Sequence, residues 1–564
     1  MTATTNKRIT DAEKQAKAYS ANEENDKKTP SYARRSRAME QPLKNNNVIN
    51  VDSNRIQVQE AITKSLSENF GKRIRESVPG YCRWLLLVAL MIIAAFATFD
   101  YAGAQDSDQW WLLATGEYII NNGIPQMNPW SVFDDQHIVI QQWIPAVLTF
   151  ASYSAFGYIG FGIVVLIMTA LLTTCSLGLV MTVSDKRPSE LSFFAIAMMI
   201  GACSAYLSIR PQAWSMVFFI QIMIILEKYR RTNNKKFLIL LPIIVAIHAN
   251  FHLSMMPFDL IIVACYIIPS IKTKRIATGI SNYSRVPLLV SFFFMLLATL
   301  LNPYGLDGAL YLFNSYGSAA YGNYIAEMGT IAPADSYYGT LMVIMLVLGT
   351  IAIGKNGAKQ IDLPLTLLFL LTAVLSFQHV RNVWLVAVFA LPLFASSMRG
   401  VCLSPRVVFF RDDMAKIGVS ALGVVTVLIS GIIMGTQELS EEPQDNATTP
   451  IIAVQWLDSN ASKNAKVFTH FNAGGYLEWN GYKVGMDARP ELWNSSISKN
   501  GADRYNEYID MTKNKVSVAS YLDGKDFDFA IVNDNTKIQT YLNGSSEWVL
   551  ATKGEGYSLY QKAL

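Results

Sequence analysis

Apolar runs of near-spanning length, separated by short clusters of charge, limit what this chain can fold into. The candidate runs are 83–104, 158–183, 190–208, 211–227, 236–250, 252–271, 285–301, 338–354, 362–378, 381–398 and 416–436. A straight helix needs about 20 apolar residues to cross a bilayer. A backbone with no water around it must satisfy its own hydrogen bonds, and a helix does so within one segment. The chain is 51% hydrophobic and only 16% charged, against about 25% charge in soluble domains. The expected class is therefore a polytopic α-helical membrane protein. Several runs fall short of a straight crossing, so broken or tilted helices are expected. A net charge of +4 with no basic-aromatic groove motif excludes nucleic acid as a partner. The five cysteines lie in or beside apolar runs without metal-ligand spacing, and read as small apolar fillers.

Charge between the runs sets the expected topology. Lys72, Arg73, Arg75 and Arg83 crowd the first run, whereas the loop from Ala102 to His137 has no Lys or Arg. The positive-inside rule then places the polar tail 1–80, read as disordered, in the cytoplasm and Asp106 outside. Lys186 and Arg187, the Lys228 to Lys236 cluster, Lys272 to Arg275, Lys355 and Lys359, and Arg399 to Lys416 mark alternate loops. The count is about eleven crossings, or thirteen if 138–157 also crosses rather than re-entering or lying flat. The expected organisation is the tail 1–80, a transmembrane domain 81–437 with an outer loop 104–145, and an extracytoplasmic α/β domain 438–564. In that last part Lys466 to Phe471, Tyr482 to Met486 and Asp526 to Val532 read as strands, and Ile451 to Leu457 and Ala502 to Thr512 as helices. Trp110 to Ile120 reads as an amphipathic helix along the membrane surface.

The chemistry is expected in the stretch Asp106-Ser107-Asp108-Gln109-Trp110-Trp111. A span delivers two carboxylates to its outer mouth, where acids are costly unless paired, bound to a cation or solvated. They can share a divalent cation, or one can take a proton from an acceptor hydroxyl while the other holds a ligand. His248 and His252 lie four residues apart at the outer end of a span, so both could bind one metal or cap a broken helix. Asn250 between them could hydrogen-bond freed backbone. Arg210 and Arg381 stand at outer span ends, where an Arg fork suits a lipid phosphate and where simple snorkelling is the alternative. Tyr304 follows Asn302-Pro303 in a turn and could line a groove. In the last part Gly474-Gly475 permits a tight turn or close approach, and Asp487 and Arg489 read as a pair. No phosphate-binding Gly-rich loop, nucleophile elbow or zinc-protease motif is present.

Together these pieces resemble the GT-C superfamily of polytopic glycosyltransferases, which includes protein mannosyltransferases, aminoarabinose transferases and oligosaccharyltransferases. The resemblance is to a bacterial branch whose first outer loop reads Asp-x-Asp-x-Trp-Trp-His-Leu-x-x-Gly. Here that loop gives Asp106 to Gly116, followed by Ile124-Pro125, Asn128-Pro129-Trp130-Ser131 and Gln142-Trp143-Ile144. Arg210-Pro211-Gln212, Asn250-Phe251-His252, Leu301-Asn302-Pro303-Tyr304-Gly305, Gly474-Gly475-Tyr476-Leu477 and Asp487-Ala488-Arg489 continue the series over residues 80–564. Leu112 stands where the branch has His and Gln142 where it has Glu. The resemblance implies transfer of a sugar from a polyprenyl-phosphate donor to an extracytoplasmic acceptor, either a cell-envelope glycan or a protein. It implies Asp106 or Asp108 as base; Trp110, Trp111, Asn250, His252 and Tyr304 as substrate contacts; and Arg210 or Arg381 at the phosphate. Where a cofactor is used, it is a divalent cation, Mg or Mn, on Asp106, Asp108, His248 and His252. A catalytically retired scaffold binding envelope polymer, or a transporter of lipid-linked precursors, are the alternatives.

Overall fold

The computed structural model of the chain describes residues 107–186, 190–203, 206–268, 283–315, 337–356, 361–399, 401, 443–496 and 498–563. The tail 1–80, the run 83–104, Asp106 and the run 416–436 lie outside the described residues. The described residues belong to a single compact unit, 71–564.

Two helices, one in the outer loop and one in 138–157, precede the described apolar runs, which form helices close to their expected places. They are α1 (Asp108–Asn122), α2 (Trp143–Phe156), α3 (Ile159–Val183), α4 (Glu190–Cys203), α5 (Gln212–Thr232), α6 (Leu240–Phe251), α7 (Met256–Ile267), α8 (Arg285–Ala298), α9 (Tyr337–Asn356), α10 (Leu363–Gln378) and α11 (Val383–Ser397). Among the described residues two helical stretches, Ile159–Val183 and Val380–Ser397, are long and apolar enough to cross a membrane alone, and five more apolar helices are shorter. The shortfall matches the short runs in the sequence. The outward side of α8 carries Val286, Leu289, Val290, Phe293, Phe294 and Leu297, all exposed. An apolar face of this kind suits hydrocarbon rather than water. At the centre stands α11, packed against α3, α4, α9 and α10, with all its residues buried except Ser396.

Charge inside this bundle is paired, as burial requires. Arg230 of α5 donates to both oxygens of Asp362 at 2.7 Å and to Glu227 at 2.8 Å, and Tyr266 of α7 donates to Glu227 at 2.7 Å. This cluster fastens α5 to α7 and to the start of α10.

The sequence reading of α1 as a surface helix needs correction. Gln109 through Gly116 are all buried, because α2 covers one side and the C-terminal part covers the other. The adjacent Trp110 and Trp111, expected at the membrane surface, are core residues. Gly116 lets α2 approach: a Cβ there would lie 2.3 Å from the Ala146 carbonyl oxygen. Gly116→Ala is therefore expected to cost about 1–3 kcal/mol by overpacking, read as a lowered thermal midpoint of the detergent-solubilised protein.

The C-terminal part is an α/β layer. Its elements are α12 (Ile451–Asn460), β1 (Lys466–Thr469), α13 (Gly474–Trp479), β2 (Lys483–Val484), α14 (Arg504–Thr512), α15 (Val518–Asp523), β3 (Phe529–Asn533), α16 (Lys537–Gly544), β4 (Trp548–Gly554) and β5 (Tyr557–Lys562). The sheet order is β2-β1-β3-β5-β4, with β2, β1 and β3 parallel and β5 antiparallel to β3. Beyond β2 the outer loop supplies one more rung: Val484 N–H donates to the Trp130 carbonyl at 2.8 Å, and Val132 N–H to the Val484 carbonyl at 3.1 Å. The sheet edge is thus closed by a segment more than 300 residues earlier. The β4–β5 hairpin was not expected from sequence. The third expected strand starts at Phe529 rather than Asp526, whose φ of 52° makes it a turn residue.

Candidate active site

One cavity of about 680 Å³ opens between the outer loop, the ends of the bundle helices and the C-terminal layer. Asp108, Trp111, Gln142, Arg210, Gln212, His252, Arg381, His470, Arg489 and Glu491 line it, with Tyr505, Tyr508 and Lys513 on its outer wall. Asp108, Arg210, His252 and Arg381 come from four separate stretches of sequence, and the fold gathers them at one hollow.

Asp108 opens α1. Its Oδ2 lies 3.1 Å from Arg210 Nε, and its Oδ1 accepts from Trp111 Nε1 at 3.0 Å. Arg210 precedes Pro211, the N-cap of α5, and its guanidinium reaches Asp108 of α1. Arg381 sits in the short turn between α10 and α11. The cavity wall therefore carries several fixed cations facing one paired carboxylate.

The far wall is built by a buried cluster. Arg489 donates through Nε to Asp487 at 2.8 Å and through a terminal nitrogen to Glu478 at 2.8 Å. Asp487 also accepts from Trp493 Nε1 at 2.9 Å and from the Arg489 backbone N–H at 2.8 Å. The expected Asp487–Arg489 pair is present. Burial alone would raise the Asp487 carboxyl, but the Arg489 charge and these hydrogen bonds hold it below the usual carboxylate range. Glu478 goes the other way, pushed well up by burial despite Arg489. The Arg489 guanidinium lies 4.8 Å from the Trp111 ring centre, a cation–π contact. Gly475 is what lets α13 reach α1: a Cβ there would sit 3.1 Å from the Trp111 backbone nitrogen.

Three expected site residues, Trp110, Tyr304 and Asn250, stand outside this cavity. Trp110 is turned from the cavity, donates to Thr449 Oγ1 at 3.3 Å and meets Tyr476 edge-on. Tyr304 donates to the Pro125 carbonyl at 3.2 Å and ties two outer loops together. Asn250 accepts from Trp143 Nε1 at 2.8 Å and donates to the Leu301 carbonyl at 2.7 Å. It lines a second, apolar groove of about 720 Å³ with Ile243, Ile247, Phe294, Leu297 and Leu301. The groove runs beside the cavity, since Trp143 and Asn250 line one and Gln142 and His252 line the other.

His248, one of the expected metal ligands, is engaged by neighbouring side chains on both sides. Both its ring nitrogens are taken, Nδ1 by Asp259 at 2.8 Å and Nε2 by Ser215 at 2.9 Å. Asp108 is held by Arg210, and no group of three His, Cys, Asp or Glu able to hold a metal occurs among the described residues. The described residues do not assemble the expected ligand set, of which Asp106 lies outside them. Of the two departures from the branch pattern, Leu112 is wholly buried in the core and is not a lining residue, whereas Gln142 lines the cavity. Gln141, Ser215, Asp259, His470 and Glu491 gave no signal in the sequence. Gln141 donates to Glu491 at 3.2 Å, and burial pushes the Glu491 carboxyl up and the His470 ring down.

No family model and no curated protein matches the chain. Solved structures do. ArnT from Cupriavidus metallidurans in the apo state aligns over 86% of this chain and 98% of its own, at 10% identity and a TM-score of 0.51. The same protein bound to undecaprenyl phosphate aligns over the same shares at 9% identity and a TM-score of 0.51. The apo oligosaccharyltransferase of Archaeoglobus fulgidus aligns over 81% and 70% at 10% identity, with a TM-score of 0.49. The alignment with ArnT covers most of both chains, and it shows that this chain shares the fold of ArnT.

Proposed function

We propose that the protein is a membrane glycosyltransferase that moves a sugar from a polyprenyl-phosphate donor to an acceptor on the outer face of the cell membrane. The observation that carries the reading is the cavity that sets Asp108 beside Arg210 and Arg381. An open apolar groove flanks it. The isoprenoid chain lies in the groove, and its phosphate reaches into the cavity. There Arg381 and Arg210 stabilise the charge that develops on the leaving phosphate, as preorganised donors do. A first-loop carboxylate, Asp108 or Asp106, orients the acceptor hydroxyl and takes its proton as the anomeric carbon is attacked with inversion. Trp111, Gln142 and His252 contact the sugar or the acceptor. On this reading the outer face of the membrane carries the C-terminal layer, in keeping with the positive-inside rule. The binding of undecaprenyl phosphate by ArnT supports the choice of donor class.

Mass spectrometry of lipid extracted from the purified protein tests the reading. A polyprenyl phosphate or its glycoside is expected with the wild type. The yield should fall about tenfold or more in Arg381→Ala, because a charged hydrogen bond contributes about 1.5–3 kcal/mol. A wild-type protein that neither carries such a lipid nor binds added undecaprenyl phosphate would sink the proposal.

A further inference from the structure

Behind the cavity wall, four buried side chains form an unbroken hydrogen-bonded file. His252 Nδ1 lies 2.7 Å from Ser215 Oγ, Ser215 Oγ lies 2.9 Å from His248 Nε2, and His248 Nδ1 lies 2.8 Å from Asp259 Oδ2. Ser215, His248 and Asp259 are wholly inaccessible, and His252 is 2% exposed. The file joins α5, α6 and α7, and only its last member, His252, lines the cavity.

Its polarity follows from counting protons. A serine hydroxyl has one hydrogen, so it donates to one imidazole and must accept from the other. Asp259 sits in the first turn of α7, where the helix dipole favours a carboxylate. An ionised Asp259 only accepts, so His248 carries its hydrogen on Nδ1 and presents a lone pair at Nε2. Ser215 then donates to His248 and accepts from His252 Nδ1–H. The second nitrogen of His252, Nε2, is left with a lone pair and is not hydrogen bonded among the described residues. Arg210 and Arg381 line the same cavity and oppose a further positive charge on this ring.

Other acceptors share this wall. The side-chain oxygens of Gln141, Gln142 and Gln212 are buried without a hydrogen-bond partner, and all three residues line the cavity. Gln141 spends its amide nitrogen on Glu491, which fixes its oxygen as the unpaired atom. These oxygens are closed to solvent, so they lie behind the cavity surface, and His252 is the acceptor that faces it.

We infer that the Asp259–His248–Ser215 file locks His252 as a hydrogen-bond acceptor toward the cavity. It forms a subsite for a sugar hydroxyl, separate from the arginines that take phosphate. Ser215, His248 and Asp259 are positioning residues. The assignment of the ligand as a sugar rests on the transferase reading; the tautomer does not.

Nitrogen-15 NMR of the full chain in detergent micelles, labelled at its five histidines, tests this directly, with His252 assigned by the resonance lost in His252→Gln. The wild type should show His252 protonated at Nδ1 and bare at Nε2. Asp259→Asn supplies an amide donor to His248 Nδ1, so the file should reverse and His252 should carry its proton on Nε2. Should Asp259→Asn not fold, Ser215→Ala serves: it breaks the file, and His252 should exchange between both tautomers. Glycerol, as the polyol probe, should shift the Nε2 resonance more than inorganic phosphate at equal concentration. Wild-type His252 protonated at Nε2, a tautomer indifferent to both variants, or a larger response to phosphate would each overturn the inference. If the tautomer is as stated but no sugar is transferred, the transferase reading fails and the file stands.

Discussion

Asp487→Ala is expected to destabilise the protein by about 3–5 kcal/mol, the usual cost of stripping one partner from a buried ion pair. Arg489 would keep a buried charge with Glu478 as its remaining partner, and Glu478 is the acid that burial pushes well up. Trp493 Nε1 would lose its acceptor as well. The sign with pH follows from the depressed Asp487 carboxyl. Its stabilising contribution is present above the ordinary Asp range, about 3.9, and is lost as pH falls through the lower folded-state value. Denaturation of wild type and variant should therefore differ fully at neutral pH and converge in strong acid. Equal midpoints at pH 7 would show that this cluster does not hold the C-terminal layer on α1.

Asp108→Asn is expected to lower sugar transfer by about 10²- to 10⁴-fold, the range for loss of a general acid or base, with the protein still folded. The substitution keeps the shape of the side chain and the hydrogen bond from Trp111 Nε1. The ion pair with Arg210 is partly exposed, with side chains 27% and 18% accessible, and pairs of that kind contribute about 1 kcal/mol or less. Stability and activity should thus separate cleanly. Transfer of labelled sugar from donor lipid in membranes is the measurement. Full activity in both Asp108→Asn and Asp106→Asn would refute the assignment of the first-loop acids.

Apolar length placed the helices well, because the requirement that a buried backbone satisfy itself leaves few other solutions. It could not show which helix stands at the centre: α11 and α3 are about equally apolar, and only packing reveals that all sides of α11 are covered. Arg210, His252 and Arg381 were legible as polar residues at the ends of runs, where polarity is costly. Ser215 and Asp259 were not, since one serine and one acid inside apolar runs carry no periodic signal. Their meaning comes from two helices placed side by side. The Trp110–Trp111 pair misled for a related reason. Aromatic residues beside an apolar run suit a membrane interface and a protein core equally, and here the covering layer lies more than 300 positions further on.

The rung that Trp130 and Val132 add to the sheet edge has a consequence for biosynthesis. The loop that bears Asp108 leaves the ribosome early, whereas the strand it docks on is among the last segments made. An unfinished chain has no template for that loop and no Arg489 to stack on Trp111. A chain ended before about residue 484 should therefore leave this loop undocked, read as protease cleavage within residues 123–141 that the full-length protein resists.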